Sequence, residues 1–194
     1  MIMRYILLVG LLSGFALGVV AQEQSVAPQV RFAESSIFNV DATSFEIVVQ
    51  DQTPRTYPQV GYLSPTTYEQ ALRTWVVQRF QLTGNSVNKL RITLREGRIT
   101  EKILPIQKGI RGWFKKEEAV QYDGSLNLEI AIIDPNGVVL TKAESAASVT
   151  QTLIEGATQP QKEAAWVGMI NTTFDNADRE LKGRFAESMG GYFK

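Results

Sequence analysis

The sequence contains neither cysteine nor histidine. Without cysteine the chain forms no disulfide, has no thiol nucleophile and offers no thiolate to a metal ion. Without histidine it lacks both the most frequent general base and a Ser-His-Asp triad. Catalysis would depend on carboxylates, Lys, Tyr and Ser alone. The composition therefore predicts a protein that is not an enzyme and that binds no cofactor or metal ion.

An excess of charge of one sign is also missing. The chain has 20 basic and 20 acidic residues, and its formal net charge is zero. No overall electric field attracts a polyanion to such a protein, so we do not expect a nucleic acid partner. Since disulfides are absent, the apolar core and the hydrogen-bonded sheet must stabilise the fold by themselves.

The first 21 residues have the order of parts of a secretory signal peptide. Met1–Arg4 carries one positive charge, Tyr5–Val20 is apolar apart from Gly and Ser, and Val20-Ala21 supplies small residues for cleavage. The apolar run of about 16 residues is shorter than the ~20 that a membrane-spanning helix needs. We therefore predict a cleaved leader and a periplasmic protein.

The residues that follow the leader predict one domain. Gln22 stands where a lipoprotein would carry its modified cysteine, so we do not expect a lipid anchor. Residues 22–27 are small and polar and are predicted to form a flexible arm. Residues 28–194 are numerous enough for a single α+β domain with its own core and too few for two.

Two amphipathic helices are predicted. The first begins at Ser64, with Pro65 in its first turn, and ends near Gly84. The second begins at Thr158, whose spacing to Gln161 is that of a capping box, and it is the longest element. The apolar residues that recur at three and four positions are Tyr68, Ala71, Leu72, Trp75, Val76 and Phe80 in the first helix, and Trp166, Met169, Ile170, Phe174, Ala177, Leu181, Phe185 and Met189 in the second.

The remaining segments predict strands. They are residues 29–33, residues 37–50 with a turn at 41–44, residues 89–104 with a break at Gly97, residues 119–133 and residues 138–152. Asp134–Gly137 predicts a hairpin turn. Small side chains between Val139 and Val149 predict a helix packed closely on that strand. The order predicts a single antiparallel β-sheet with two helices packed on one face, the C-terminal helix long.

Acidic residues are the remaining candidates for chemistry. They are Glu96, Glu101, Glu117, Glu118, Asp175, Asp178 and Glu180. On the last helix, Asp178 has Lys182 at the i+4 position, which is typical of exposed helical charges. We interpret all of these residues as surface charges. Asp134–Gly137 is too short for a calcium-binding loop and is interpreted as a structural turn.

One predicted loop, the basic-aromatic segment of residues 105–118, combines aromatic and positive side chains. The residues predicted to contact a partner or lipid are Lys108, Arg111, Trp113, Phe114, Lys115 and Lys116. Cationic and aromatic side chains together favour anionic lipid headgroups or an acidic protein surface. The alternative is a plain hairpin loop whose aromatic side chains fold back on the sheet edge.

The sequence of elements resembles a known family. The resembling features are the leader, a β-rich start, the helix Tyr68–Trp75, the strand-turn-strand from Gly124 to Gly137, and the C-terminal helix with Trp166, Met169, Ile170 and Leu181. Together they resemble the auxiliary component of ABC-type lipid-transport systems, the small periplasmic companions of MCE-domain proteins. The resemblance covers residues 28–194. It implies a non-enzymatic accessory protein that binds MCE-like or ABC components. Members are usually lipid-anchored through an N-terminal cysteine, so Gln22 implies a soluble variant.

Two alternatives stay open at this point. A general cell-envelope assembly or stress-linked binding module would use the same fold with a different partner. A hydrolase that uses only carboxylates would need two of them about 5–10 Å apart in a cleft.

Overall fold

The computed structural model describes residues 28–33, 36–104, 119–154 and 156–193. The predicted leader, the predicted arm of residues 22–27 and the basic-aromatic segment lie outside these ranges. The described strands are β1 (Phe38–Val40), β2 (Ser44–Val49), β3 (Phe80–Leu82), β4 (Lys89–Leu104), β5 (Ala119–Ile133) and β6 (Val139–Ile154). The described α-helices are α1 (Tyr68–Arg79) and α2 (Gln159–Ser188).

The main sheet has four strands in the order β2-β4-β5-β6, and it is mixed. β5 is antiparallel to both of its neighbours, whereas β2 runs parallel to β4. The prediction of a purely antiparallel sheet is therefore wrong at one strand. The reason is the connection: the chain passes from β2 through α1 before it enters β4, and such a crossover returns it in the same direction.

A second, two-stranded sheet pairs β1 with β3 in parallel. The strand predicted over residues 37–50 divides at Asp41–Thr43, so its first part joins this small sheet and its second part joins the main sheet. The first helix ends at Arg79, before the predicted Gly84. Gly84 has a positive φ of +72°, but it follows β3 and not the helix.

The N-cap of α1 is Thr67, three residues after the predicted start at Ser64. The Thr67 amide donates to Gln70 Oε1 at 2.9 Å, and the Gln70 amide donates to Thr67 Oγ1 at 3.3 Å. This reciprocal capping box satisfies two amides that would otherwise have no partner at the helix start. Thr67 is therefore the N-cap in place of Ser64.

β4 is continuous through Gly97, where a break was predicted. A register shift between Leu94 and Glu96 occurs just before this glycine. A Cβ atom on Gly97 would lie 2.5 Å from the Tyr68 Cβ, far inside van der Waals contact. Gly97 therefore permits the start of α1 to lie directly on the strand.

Both helices pack on the same face of the main sheet, as predicted. A Cβ atom on Gly124 of β5 would lie 3.1 Å from Met169 Cε on α2 and 3.3 Å from the Tyr68 hydroxyl oxygen on α1. Every residue of the two predicted apolar stripes is buried. The small residues Ala143 and Ser145 of β6 are also buried, and Ser145 contacts α2 through Glu180, so the predicted close packing is confirmed.

Residues 28–33 do not form the predicted strand. None of the described strands pairs with them. The Arg31 amide donates to Asn171 Oδ1 at 3.1 Å and the Ala33 amide donates to Asp175 Oδ1 at 2.9 Å, so the segment lies along α2. We call residues 28–33 the N-terminal segment.

Replacing Phe174 by alanine tests whether α2 contributes to the apolar core that stabilises the fold. This ring is fully buried and lies 5.3 Å from the ring of Phe32 and 5.7 Å from that of Trp75, centroid to centroid. We expect Phe174→Ala to lower the free energy of unfolding by about 3–5 kcal/mol in urea denaturation, because it leaves a cavity. The control is Val77→Ala on α1, where the side chain is 78% exposed. A loss below about 1 kcal/mol for Phe174→Ala would contradict the assignment.

Candidate partner-binding surfaces

The residues predicted to contact a partner or lipid, Lys108 to Lys116, lie outside the described residues. The structure does describe where the basic-aromatic segment is attached. Leu104 at the end of β4 pairs with Ala119 at the start of β5, and Ala119 pairs in turn with Ile154 of β6. Both attachment points are therefore neighbours at one end of the main sheet. The proposed contacts themselves stay a prediction.

This end of the sheet exposes apolar side chains. Ile103 is 57% exposed and Ile154 is 63% exposed. Ile154 also lines a pocket of about 370 Å³ between the end of β6 and the first turns of α2, together with residues that include Leu153, Ala157 and Ala164. We call Ile103, Ile154 and this pocket the apolar end. It adjoins the attachment points of the basic-aromatic segment.

The face of the main sheet opposite the helices carries a network of charged side chains. Arg95 Nη2 lies 2.5 Å from Glu129 Oε2, and Lys142 Nζ lies 3.2 Å from the same oxygen. Lys142 Nζ also lies 2.7 Å from Glu144 Oε1. We call the face that carries these four residues the open face. The two basic and two acidic side chains lie on three strands and pair with one another. This part of the face is therefore polar but has no excess of charge of one sign.

Glu129 is the centre of this network. Partial burial acts to raise the pKa of its carboxyl, but hydrogen bonds from Arg95 and Lys142 outweigh burial and hold the pKa below its usual value. Hydrogen bonds to Glu129 likewise raise the pKa of the Arg95 guanidinium, and those to Glu144 and Glu129 raise the pKa of the Lys142 amine. All three groups are therefore charged at neutral pH.

Other carboxylates considered as catalytic candidates accept hydrogen bonds that hold the structure together. Glu96 Oε1 accepts from Ser125 Oγ at 2.6 Å, across β4 and β5. Glu180 Oε2 accepts from Ser145 Oγ at 2.7 Å, which joins α2 to β6. Burial acts to raise the pKa of Glu180, but this bond and those from Arg184 hold it below the usual value. Asp175 accepts from the N-terminal segment.

Asp178 is the exception to the predicted surface charges, because it is buried. It accepts from Arg79 Nε at 3.0 Å and from Arg79 Nη2 at 2.6 Å, and both residues are at most 2% exposed. The Arg79 guanidinium carbon also lies 4.8 Å from the centroid of the Phe38 ring. A signal was present in the sequence: Arg79 follows Trp75 by four positions and Asp178 follows Phe174 by four. Each of these two residues thus lies on the apolar stripe of its helix, and the two carry opposite charges.

A small pocket near the start of α1 contains two further carboxylates. Its volume is about 160 Å³, and Asp51 and Glu69 are among its lining residues. Asp51 Oδ1 accepts from the Thr53 amide at 3.1 Å, and Glu69 pairs with Arg73 at 2.9 Å. Both carboxylates therefore have local partners, and the pocket is smaller than the roughly 300–1,000 Å³ of most ligand sites.

Two further observations concern the described ranges only. In residues 28–33, 36–104, 119–154 and 156–193, neither α-helix has the length and hydrophobicity required to cross a bilayer. In the same ranges, His, Cys, Asp and Glu form no group of three that could hold a metal ion.

No protein-family model and no curated protein matches the chain. Among solved structures, a minor lipoprotein from Acinetobacter baumannii is 12% identical, with 72% of this chain and 87% of that chain covered and a TM-score of 0.36. A candidate lipoprotein from Caulobacter crescentus CB15 is 15% identical, with coverages of 74% and 88% and a TM-score of 0.38. A Xanthomonas campestris protein of the DUF330 family is 12% identical, with coverages of 82% and 96% and a TM-score of 0.34. Similarities this low support no conclusion about function.

The buried pair of Arg79 and Asp178 gives a testable energetic prediction. Arg79→Met or Asp178→Leu alone removes one member of the buried pair and should cost about 3–5 kcal/mol of unfolding free energy. The double variant should cost less than either single one, because both charges are removed together. Urea denaturation of all four proteins measures this. The exposed pair of Glu69 and Arg73 is the control, with an expected coupling below about 1 kcal/mol. Additive costs at Arg79 and Asp178 would contradict the prediction.

Proposed function

We propose that the chain is a non-enzymatic periplasmic accessory protein of an envelope lipid ABC transport system. It acts by binding partner proteins, either MCE-like or ABC components. The observation that carries the proposal is the open face. Both helices cover one side of the main sheet, and the other side offers matched charges from Arg95, Glu129, Lys142 and Glu144. A partner that presents charges complementary to these side chains would associate with this face selectively.

Features of the sequence support the same proposal. The first 21 residues have the order of parts of a secretory leader, which supports a periplasmic location. The absence of histidine and cysteine leaves few groups for chemistry. The proposed transport system and the proposed MCE-like or ABC partners come from the family resemblance.

The positions of the carboxylates favour binding over hydrolysis. Glu96 and Glu180 hold neighbouring elements together, and Asp178 is buried against Arg79. Hydrogen bonds hold the pKa of Glu180 below its usual value, which makes this carboxyl a poor general acid. A carboxylate-only hydrolase would need two carboxylates that are not engaged in such structural contacts.

A membrane contact at the apolar end is a second candidate. The exposed side chains of Ile103 and Ile154 adjoin the attachment points of the basic-aromatic segment. Apolar side chains beside cationic ones suit an anionic membrane surface, which attracts Lys and Arg and accepts aromatic rings at the headgroup level.

Affinity capture from the native envelope tests the accessory role. A tagged full chain, cross-linked in cells and analysed by mass spectrometry, should enrich a component of an ABC or MCE transport system. Arg95→Glu with Lys142→Glu should abolish that enrichment, because it makes four neighbouring groups negative. Arg73→Glu on α1 changes charge away from the open face and should leave capture unchanged. Recovery of an assembly or stress protein instead would favour the alternative module, and recovery of no envelope partner would contradict the proposal.

Vesicle sedimentation tests the membrane contact separately. The purified chain should sediment with vesicles that contain anionic lipid, and less so with neutral vesicles. Trp113→Ala with Phe114→Ala should lower the bound fraction several-fold, because the aromatic anchors are lost while the charges remain. Val77→Ala, an exposed apolar change on α1, is the matched control. Equal binding by wild type and the double variant would remove the lipid contact.

A further inference from the structure

The N-terminal segment occupies a groove between the two helices. Its even-numbered residues, Pro28, Val30 and Phe32, are half-buried, while Gln29 and Arg31 are exposed. The alternation is that of a strand with one buried face, although none of the described strands pairs with the segment. Side chains at every second position therefore point into the groove, as in a bound extended peptide.

Amide groups of the segment are held by side chains of α2. Asn171 Oδ1 accepts from the amide of Arg31, and Asp175 Oδ1 accepts from the amide of Ala33. Two residues of extended chain advance about 6.6 Å. Four residues of α-helix advance about 6 Å. Acceptors four residues apart on the helix thus match amides two residues apart on the peptide.

The floor of the groove is aromatic. The Phe32 ring lies 5.3 Å from that of Phe174, at an interplanar angle of 59°. Val30 packs against the same core. Beside Val30 the groove continues as a pocket of about 370 Å³, with Gln70 and Thr74 of α1 in its wall. The segment therefore leaves part of the groove unfilled.

We propose that this groove is a binding site for extended peptides, and that a partner protein's segment with apolar side chains at alternate positions displaces residues 28–33. The groove would recognise backbone amides and apolar side chains at every second position. A partner segment therefore need not have the sequence of residues 28–33. The site deepens the proposed partner-binding function and rests on it for the identity of the partner.

The attachment of the segment makes displacement feasible. It is covalently joined to β1, so it rebinds at a high effective concentration, which for short flexible connections is on the order of millimolar. A partner peptide must therefore compete with it. Weakening the apolar contacts of the segment should expose the groove without altering its walls.

Fluorescence anisotropy with a synthetic peptide tests the proposal. The probe is labelled, acetylated Pro-Gln-Val-Arg-Phe-Ala, the sequence of residues 28–33, and the receptor is the full chain with Val30→Ser and Phe32→Ser. We expect saturable binding to this variant and at least about tenfold weaker binding to wild type, whose own segment competes. A peptide with serine at the two apolar positions should not bind. Circular dichroism and urea denaturation establish that the receptor variant is folded.

A groove variant distinguishes this site from binding elsewhere. Asn171→Ala with Asp175→Ala, added to the receptor variant, should weaken binding at least about fivefold. Thr172→Ala, exposed on the same helix, is the matched control. No binding to the folded receptor, equal binding to wild type, or no effect of the groove variant would each overturn the proposal. The assay uses purified protein, so its failure leaves the capture experiment intact, and failure of capture leaves this assay intact.

Discussion

Burial of one apolar stripe of α2 is the constraint on which the other contacts depend. The stripe packs on the small side chains of β6, where Ala143 and Ser145 let the helix approach closely. Its middle supplies Phe174 to the rings of α1 and of the N-terminal segment. Its end supplies Phe185, whose ring lies 5.0 Å from that of Phe38 in the small sheet. With no disulfide in the chain, this 30-residue helix is what joins the layers.

The buried ion pair fixes how α1 sits on α2. A desolvated ion pair adds little net stability compared with apolar side chains of similar size. Its geometric demand is nevertheless strict, since the guanidinium of Arg79 must meet both oxygens of Asp178. Rotation of either helix would break these two hydrogen bonds between buried, charged groups. The pair therefore selects one arrangement of the helices, and with it one width for the groove that holds the N-terminal segment.

The sequence predicted correctly those features that depend on residue spacing within one segment. The α2 stripe, its start at Thr158, the turn at Asp134–Gly137 and the helix over β6 all follow from spacing along one segment, and all are present. The direction of β2 relative to β4 does not follow from local spacing, because it depends on the crossover through α1. The start of α1 differs from the prediction because Thr67 and Gln70 form a capping box three residues beyond Ser64, the predicted start. The buried Asp178 was missed because its partner is 99 positions away and charged residues are ordinarily exposed.

The same burial decides which side chains of α2 are available for recognition. Asn171 directly follows the buried Ile170, and Asp175 directly follows the buried Phe174. Because the stripe cannot rotate without exposing its apolar side chains, both acceptors are held at the groove edge in one orientation. A pre-positioned acceptor loses little conformational freedom when it binds an amide. The groove therefore combines fixed polar contacts with an aromatic floor, whereas the binding proposed for the open face would depend on charge and would weaken as salt screens it.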